Sequence, residues 1–278
     1  DLDELKNLVV RNSQARGQSI SKLGYFCAPF RPRKGPLSDK VIKIYQSLSD
    51  RETLETLCRS HDDYVVVLRK LGVEVPETEI HLLETDKYLV PVIVQEALDS
   101  QSLMRDQMIK VDLQKALEMM QAAGLVIAGF WNNLDPDMGR VGFHPSIRNF
   151  AISDDRALFF DSFPPLIHYS HNEMGKILLL FSEKRLIRLI GPLVSSKVAS
   201  IQDEWYSASE TLIGIVGSAC RLRPADRDAF LDWGREFAKT QMPYFSDDIM
   251  GGLEKPPRLP GYWTGFRKLL GLQGEPNL

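Results

Sequence analysis

Asn149 and Asp161 stand twelve positions apart in the run Gly142-Phe-His-Pro-Ser-Ile-Arg-Asn-Phe-Ala-Ile-Ser-Asp-Asp-Arg-Ala-Leu-Phe-Phe-Asp161. Two short apolar segments flank Ser153-Asp154-Asp155-Arg156, which is good turn chemistry, so the run predicts a hairpin. An Asn that opens one strand and an Asp that closes its partner converge on one point. Together they offer an amide oxygen and a carboxylate. Mg²⁺ prefers such hard oxygen ligands and shares them with substrate phosphates. The expected metal ligands are therefore Asn149 and Asp161.

The elements that must position this pair can be read along the chain. Residues 19–28 suggest a strand, followed by the turn-rich Pro29-Phe-Arg-Pro-Arg-Lys-Gly-Pro36. Lys40-Val-Ile-Lys-Ile-Tyr45 is rich in β-branched residues and predicts another strand. Leu54, Leu57, Tyr64, Val65, Leu68 and Leu71 recur at helical spacing over 50–71, and Gly72 stops that helix. Strands are expected near 79–83 and 88–95. After Ala97 the character changes: residues 111–124 and 173–190 predict helices, as do segments within 200–222 and 225–240. The expected fold is α+β, with a small β-rich lobe over 1–95 carrying one long helix. A larger helical lobe over 96–278 contains the hairpin within 142–163, and the connector lies at 95–99.

With that layout on the page, the residues resemble the protein-kinase-like superfamily, especially its aminoglycoside-phosphotransferase branch. Val41-Ile-Lys43 looks like the family's Val-Ala-Ile-Lys strand, whose Lys reaches the ATP phosphates. Alternate strand residues share a face, so Val41 would face the adenine and Lys43 the phosphates. His61-Asp62-Asp63, running on to Val75-Pro76, is similar to the family's helix whose acid orients the Lys; Asp62 or Asp63 would take that role. Asn149-Phe-Ala-Ile resembles the metal-binding Asn that opens a strand. Phe159-Phe160-Asp161 resembles the segment ending in the metal-binding Asp. The resemblance implies a two-lobed protein-kinase-like fold that binds ATP and Mg²⁺, with Gly24 in the loop over the phosphates and Glu96 at the connector.

The pattern also departs from that family. The residue five before the metal-binding Asn, where the family has its catalytic Asp, is His144. A neutral imidazole accepts a proton near pH 7, so His144 either serves as the base or braces the loop by a hydrogen bond. Arg148 either pairs with a phosphate or braces Asp161 or Asp155. The glycine loop, Leu23-Gly-Tyr-Phe-Cys-Ala-Pro29, holds one Gly, and Ser-Phe-Pro-Pro follows Asp161.

Composition limits the alternatives. A net charge of −3 supplies no basic stripe, so nucleic acid is not an expected partner. Three widely spaced cysteines without a Cys-x-x-Cys fit neither a disulfide framework nor a structural zinc site, and they suit a reducing cytoplasm. The first residues are acidic where a signal peptide is basic, and the apolar runs are too short for a bilayer span, so no membrane role is expected. His168 and His171 are three apart with only Glu173 beside them, which is not zinc spacing. The four tryptophans and Met119, Met120 and Met138 are expected in packing roles. Two functions follow. One is an ATP- and Mg²⁺-dependent phosphotransferase acting on a hydroxyl of a small molecule or a peptide Ser/Thr, as in natural-product tailoring. The other is a degenerate relative that binds nucleotide or a protein partner without chemistry.

Overall fold

The computed structural model describes residues 2–14, 27, 29–84, 88–181 and 202–254. It is mixed α and β, with a small sheet followed by a helical region. In chain order the elements are α1 (Leu2–Gln14), β1 (Lys40–Ile44), α2 (Arg51–Lys70), β2 (Thr78–Glu84), β3 (Leu89–Glu96), α3 (Met104–Met108) and α4 (Leu113–Asn133). They continue with β4 (Phe150–Ser153), β5 (Arg156–Phe159), α5 (His171–Leu180), α6 (Ala208–Leu222), α7 (Arg227–Gln241) and α8 (Ser246–Glu254).

The first sheet is antiparallel in the order β1-β3-β2, with Lys43 opposite Ile93 and Val41 opposite Gln95. Period two separates its faces. Ile42 and Ile44 join Val90, Val92 and Leu83 under Leu5 and Val9 of α1, an element the sequence reading did not anticipate. Lys43 belongs to the other face. Ile93 and Tyr45 on that side enter a larger apolar cluster that runs through α2 and the hairpin to Leu253. The sheet and helical parts thus share one core.

α2 starts where Asp50 accepts a hydrogen bond from Thr53 N at 3.3 Å and ends before Gly72, whose φ is +84°. Its buried stripe is Leu54, Leu57, His61, Tyr64, Val65 and Leu68. α4 overruns the expected stop at Gly124. A Cβ there would lie 2.9 Å from the Phe237 ring of α7, so this glycine permits close helix packing rather than ending the helix. α8 was also not anticipated. The suggested strand over 19–28 lies outside the described residues except for Cys27, as does the expected helix beyond 181. Among the described residues no helix is long and apolar enough to cross a membrane.

The hairpin forms as expected, with Phe150 opposite Phe159 and Ser153 opposite Arg156. Asp154 and Asp155 both have positive φ, 49° and 59°, as a two-residue turn matched to strand twist requires. Phe159 N donates to Glu74 O at 2.8 Å, joining the hairpin to the loop after α2. On the helical side, Gln107 Nε2 donates to Ile152 O at 3.2 Å. The hairpin is therefore gripped by both parts of the molecule.

Candidate functional site

Lys43 is only 5 % exposed, and its ammonium crosses from β1 to donate to Phe160 O at 2.8 Å. Among the described residues this carbonyl is the acceptor the ammonium has for its three donors, and a neutral carbonyl offsets only part of the desolvation of a buried charge. An anion at this point would complete it. Val41 shares the Lys43 face of the sheet and is half-buried.

Phe160 links the Lys strand to the hairpin base. Its N–H donates to Asn149 O at 3.0 Å, while its carbonyl receives Lys43. Asn149 lies in a single 3-10 turn, Ile147–Asn149, capped by Ser146. Asn149 N donates to Ser146 O at 2.8 Å, and Nδ2 donates to His144 O at 3.1 Å. Using the amide nitrogen on His144 orients Asn149 and leaves its oxygen as the group suited to a cation. Arg148 is half-buried in the same turn. Asp161 is half-buried, and among the described residues its carboxylate forms no hydrogen bond or ion pair; its charge acts on Tyr45, Tyr64 and His144.

The loop before Asn149 is tightly enclosed. Tyr64 of α2 donates its hydroxyl to Gly142 O at 2.9 Å, and Gly142 N donates to Leu166 O at 2.8 Å. A Cβ on Gly142 would lie 2.8 Å from the Tyr206 ring and 2.9 Å from Trp205 O, so no larger residue fits without a shift. Phe143 N donates to Trp205 O at 2.6 Å, and the His144 ring lies 4.6 Å from the Trp205 ring. Burial lowers the His144 pKa, with the Asp161 charge opposing it. The imidazole is therefore neutral near pH 7 and able to accept a proton.

Neither Asp62 nor Asp63, the acids expected to orient Lys43, forms an ion pair with it. The Asp62 side chain is 66 % exposed, and Asp63 is paired with His168 at 2.9 Å. The reason is helical phase: positions 54, 57, 61, 64, 65 and 68 share the buried stripe, and 62 and 63 fall off it. His61 instead faces the hairpin, fully buried, with Nε2 2.9 Å from Ser162 Oγ. The same periodicity, applied to the polar residues of α2, would have singled it out. Trp205, expected in a packing role, stands beside His144, and no local pattern signalled this. Glu96 lies opposite Lys40, so its side chain belongs to the α1 face rather than the Lys43 face. Gly24 lies outside the described residues. His168 and His171 separate onto Asp63 and Asp203, while Glu173 caps α5. Among the described residues no three His, Cys, Asp or Glu side chains are placed to hold a metal. An Asn–Asp pair is a different arrangement, which substrate phosphates and water would have to complete.

His61 yields a stability prediction. Burial lowers its pKa below 6.5, with Asp62 opposing the shift and Lys43 adding to it. Its neutral form is thus favoured in the folded state, and this stabilisation is fully present above pH 6.5. As pH falls from 6.5 toward the lower folded-state pKa, the unfolded chain takes up a proton that the native one does not. Stability should then drop by up to about 1.4 kcal/mol per pH unit from this one group. Urea midpoints between pH 7.5 and 5.5 should show a slope that is shallower in His61→Gln. An identical slope in the variant would show that His61 is not the group responsible.

Comparison with known proteins places the chain in an uncharacterised family. The model for DUF6206, a family of unknown function, matches residues 4–274, so the chain belongs to that family. No curated protein matches it in sequence.

Proposed function

We propose that this member of DUF6206 is an ATP- and Mg²⁺-dependent phosphotransferase with a two-lobed protein-kinase-like fold. Residues 1–95 form its smaller lobe and 96–278 its larger one. The supporting observation is convergence. Lys43 is bonded to the residue before Asp161, and that residue is bonded to Asn149, which is bonded to His144. Three charged or metal-seeking groups and a neutral base are thus linked through three consecutive hydrogen bonds.

In this reading Lys43 turns its spare donors to phosphate oxygens, and Val41 lines the nucleotide side of the sheet. Asn149, through its amide oxygen, and Asp161 would hold Mg²⁺, which when bound neutralises phosphate charge. His144 takes the proton of an acceptor hydroxyl, and Arg148 supplies a further cation near the hairpin base. The acceptor is a small hydroxylated molecule or a peptide Ser/Thr. Positioning and charge neutralisation do most of the work in phosphoryl transfer. The three cysteines, none in a disulfide, suit a cytoplasmic setting.

One observation favours a second reading, a degenerate relative that binds nucleotide or a protein partner without chemistry. α2 turns His61 toward the hairpin, so among the described residues Lys43 has no acidic partner to orient it. Turnover separates the two readings: ATP consumption with a panel of hydroxyl acceptors should fall in His144→Ala, whereas binding with no turnover favours the degenerate form.

The test common to both is thermal unfolding with ATP, with and without Mg²⁺. A ligand at 100 times its Kd stabilises the folded state by about 2.7 kcal/mol, which for a chain of this size is about 5 °C or more. That rise should require Mg²⁺. Lys43→Met should abolish it with only a small change in ligand-free Tm, because loss of the donor to Phe160 O is offset by removal of a buried charge. No shift with ATP under any metal would sink the phosphotransferase and the nucleotide-binding form of the second reading.

A further inference from the structure

The segment around Asp161 is tethered residue by residue to the sheet part of the molecule. Phe160 is held by Lys43 of β1. Ser162, fully buried, is held by His61 of α2 at 2.9 Å. The Phe163 ring stacks on Tyr45 at 3.9 Å with the planes 27° apart. Asp161 between them is half-buried, and among the described residues its carboxylate has no hydrogen-bond or ion-pair partner. We propose that His61 is a positioning residue: its hydrogen bond to Ser162 fixes the chain just after Asp161, as Lys43 fixes it just before, and so sets the direction of the carboxylate.

Burial and hydrogen-bond geometry support this role. Asp62 Oδ1 lies 3.8 Å from His61 Nδ1, beyond hydrogen-bond range, and the Nε2–Ser162 Oγ contact at 2.9 Å serves either tautomer, because the hydroxyl can donate or accept. The order Ser162, His61, Asp62 also matches a nucleophile, base and orienter, the parts needed for acyl transfer. Ser162 and His61 are each 0 % exposed, however, so no substrate carbonyl reaches the hydroxyl and the arrangement serves to hold the chain. α2 is thereby coupled to the metal-seeking Asp without an ion pair to Lys43. In energetic terms, a neutral bond between two enclosed partners is well suited to fixing geometry, since breaking it leaves a buried polar group unsatisfied.

The functional consequence rests on the nucleotide reading above, but the positioning itself is testable without it. Amide hydrogen exchange on the ligand-free protein should show the peptide spanning 159–167 exchanging at least tenfold faster in His61→Ala and in Ser162→Ala. His61→Gln, whose amide oxygen can accept from Ser162, should restore most of the protection. Ser162→Ala removes the same bond with little volume change, so it covers the case in which His61→Ala fails to fold. Unchanged protection in Ser162→Ala overturns the inference, whatever the protein binds. With Mn²⁺ as the probe ion and ATP present, metal affinity should fall about tenfold in both variants, while ATP affinity without metal changes by less than threefold. Equal losses with and without metal would also overturn it, since that pattern describes general loosening rather than aim at the metal. Faster exchange in the variants, combined with no Mn²⁺–ATP binding by the wild type, would leave the tether standing and remove the nucleotide reading instead.

Discussion

Asp161→Ala is expected to abolish Mg²⁺-dependent stabilisation by ATP and to lower any phosphoryl transfer on the order of 10³-fold. In the proposed site Asp161 is the one carboxylate that can seat the metal, because Asn149 contributes only a neutral oxygen. Removing a preorganised group aimed at developing charge typically costs 10²- to 10³-fold, and loss of the ion as well places this substitution at the upper end. The ligand-free fold should survive. The Asp161 side chain has no hydrogen-bond partner among the described residues, so its loss orphans no donor. Thermal unfolding with and without Mg²⁺–ATP checks both statements at once. A variant that keeps the metal-dependent shift would place the ion elsewhere. A variant that fails to fold would show that the carboxylate has a structural partner.

The largest effect on stability is expected at Phe143. Its side chain is fully buried at the junction of three other rings, 4.8 Å from Phe130, 4.8 Å from Phe159 and 6.5 Å from Phe150. Phe143→Ala should cost about 3–5 kcal/mol, through lost transfer energy and the cavity left among rigid rings. Domain stabilities are commonly only about 5–15 kcal/mol, so this is a large share of the total. Phe143→Leu, which keeps much of the volume, should cost less than half as much. Denaturant midpoints with the m-value held constant provide the measurement. A loss under about 1 kcal/mol for the Ala variant would mean that the aromatic junction collapses around the gap or was loosely packed from the start. Phe143 also precedes His144, and its backbone N–H, which an Ala variant keeps, donates to Trp205 O.

Local chemistry made much of the framework legible. Apolar spacing and the stop at Gly72 marked α2, and richness in β-branched residues marked β1. A polar turn between two apolar segments marked the hairpin and put Asn149 and Asp161 at its ends. The same reading ran one residue off on α2, choosing acids for their charge where the helical phase already pointed to His61. It ended α4 at Gly124 because nothing within that helix shows that the Phe237 ring needs the space. α1 escaped notice although Leu5 and Val9 lie four apart on one face.

What the chain determined by itself are the choices made within a turn or a strand: where elements start and stop, and which side chains share a face. Only the tertiary structure decided which faces meet. Lys43 reaches Phe160 across 117 positions, and His61 reaches Ser162 across 101. Backbone periodicity extends over a few residues, whereas contacts at such separations are set by how whole apolar surfaces close on one another. The Asn149–Asp161 pair could be read from the first kind of information. Its tether to α2 through His61 and the indole of Trp205 beside His144 belong to the second.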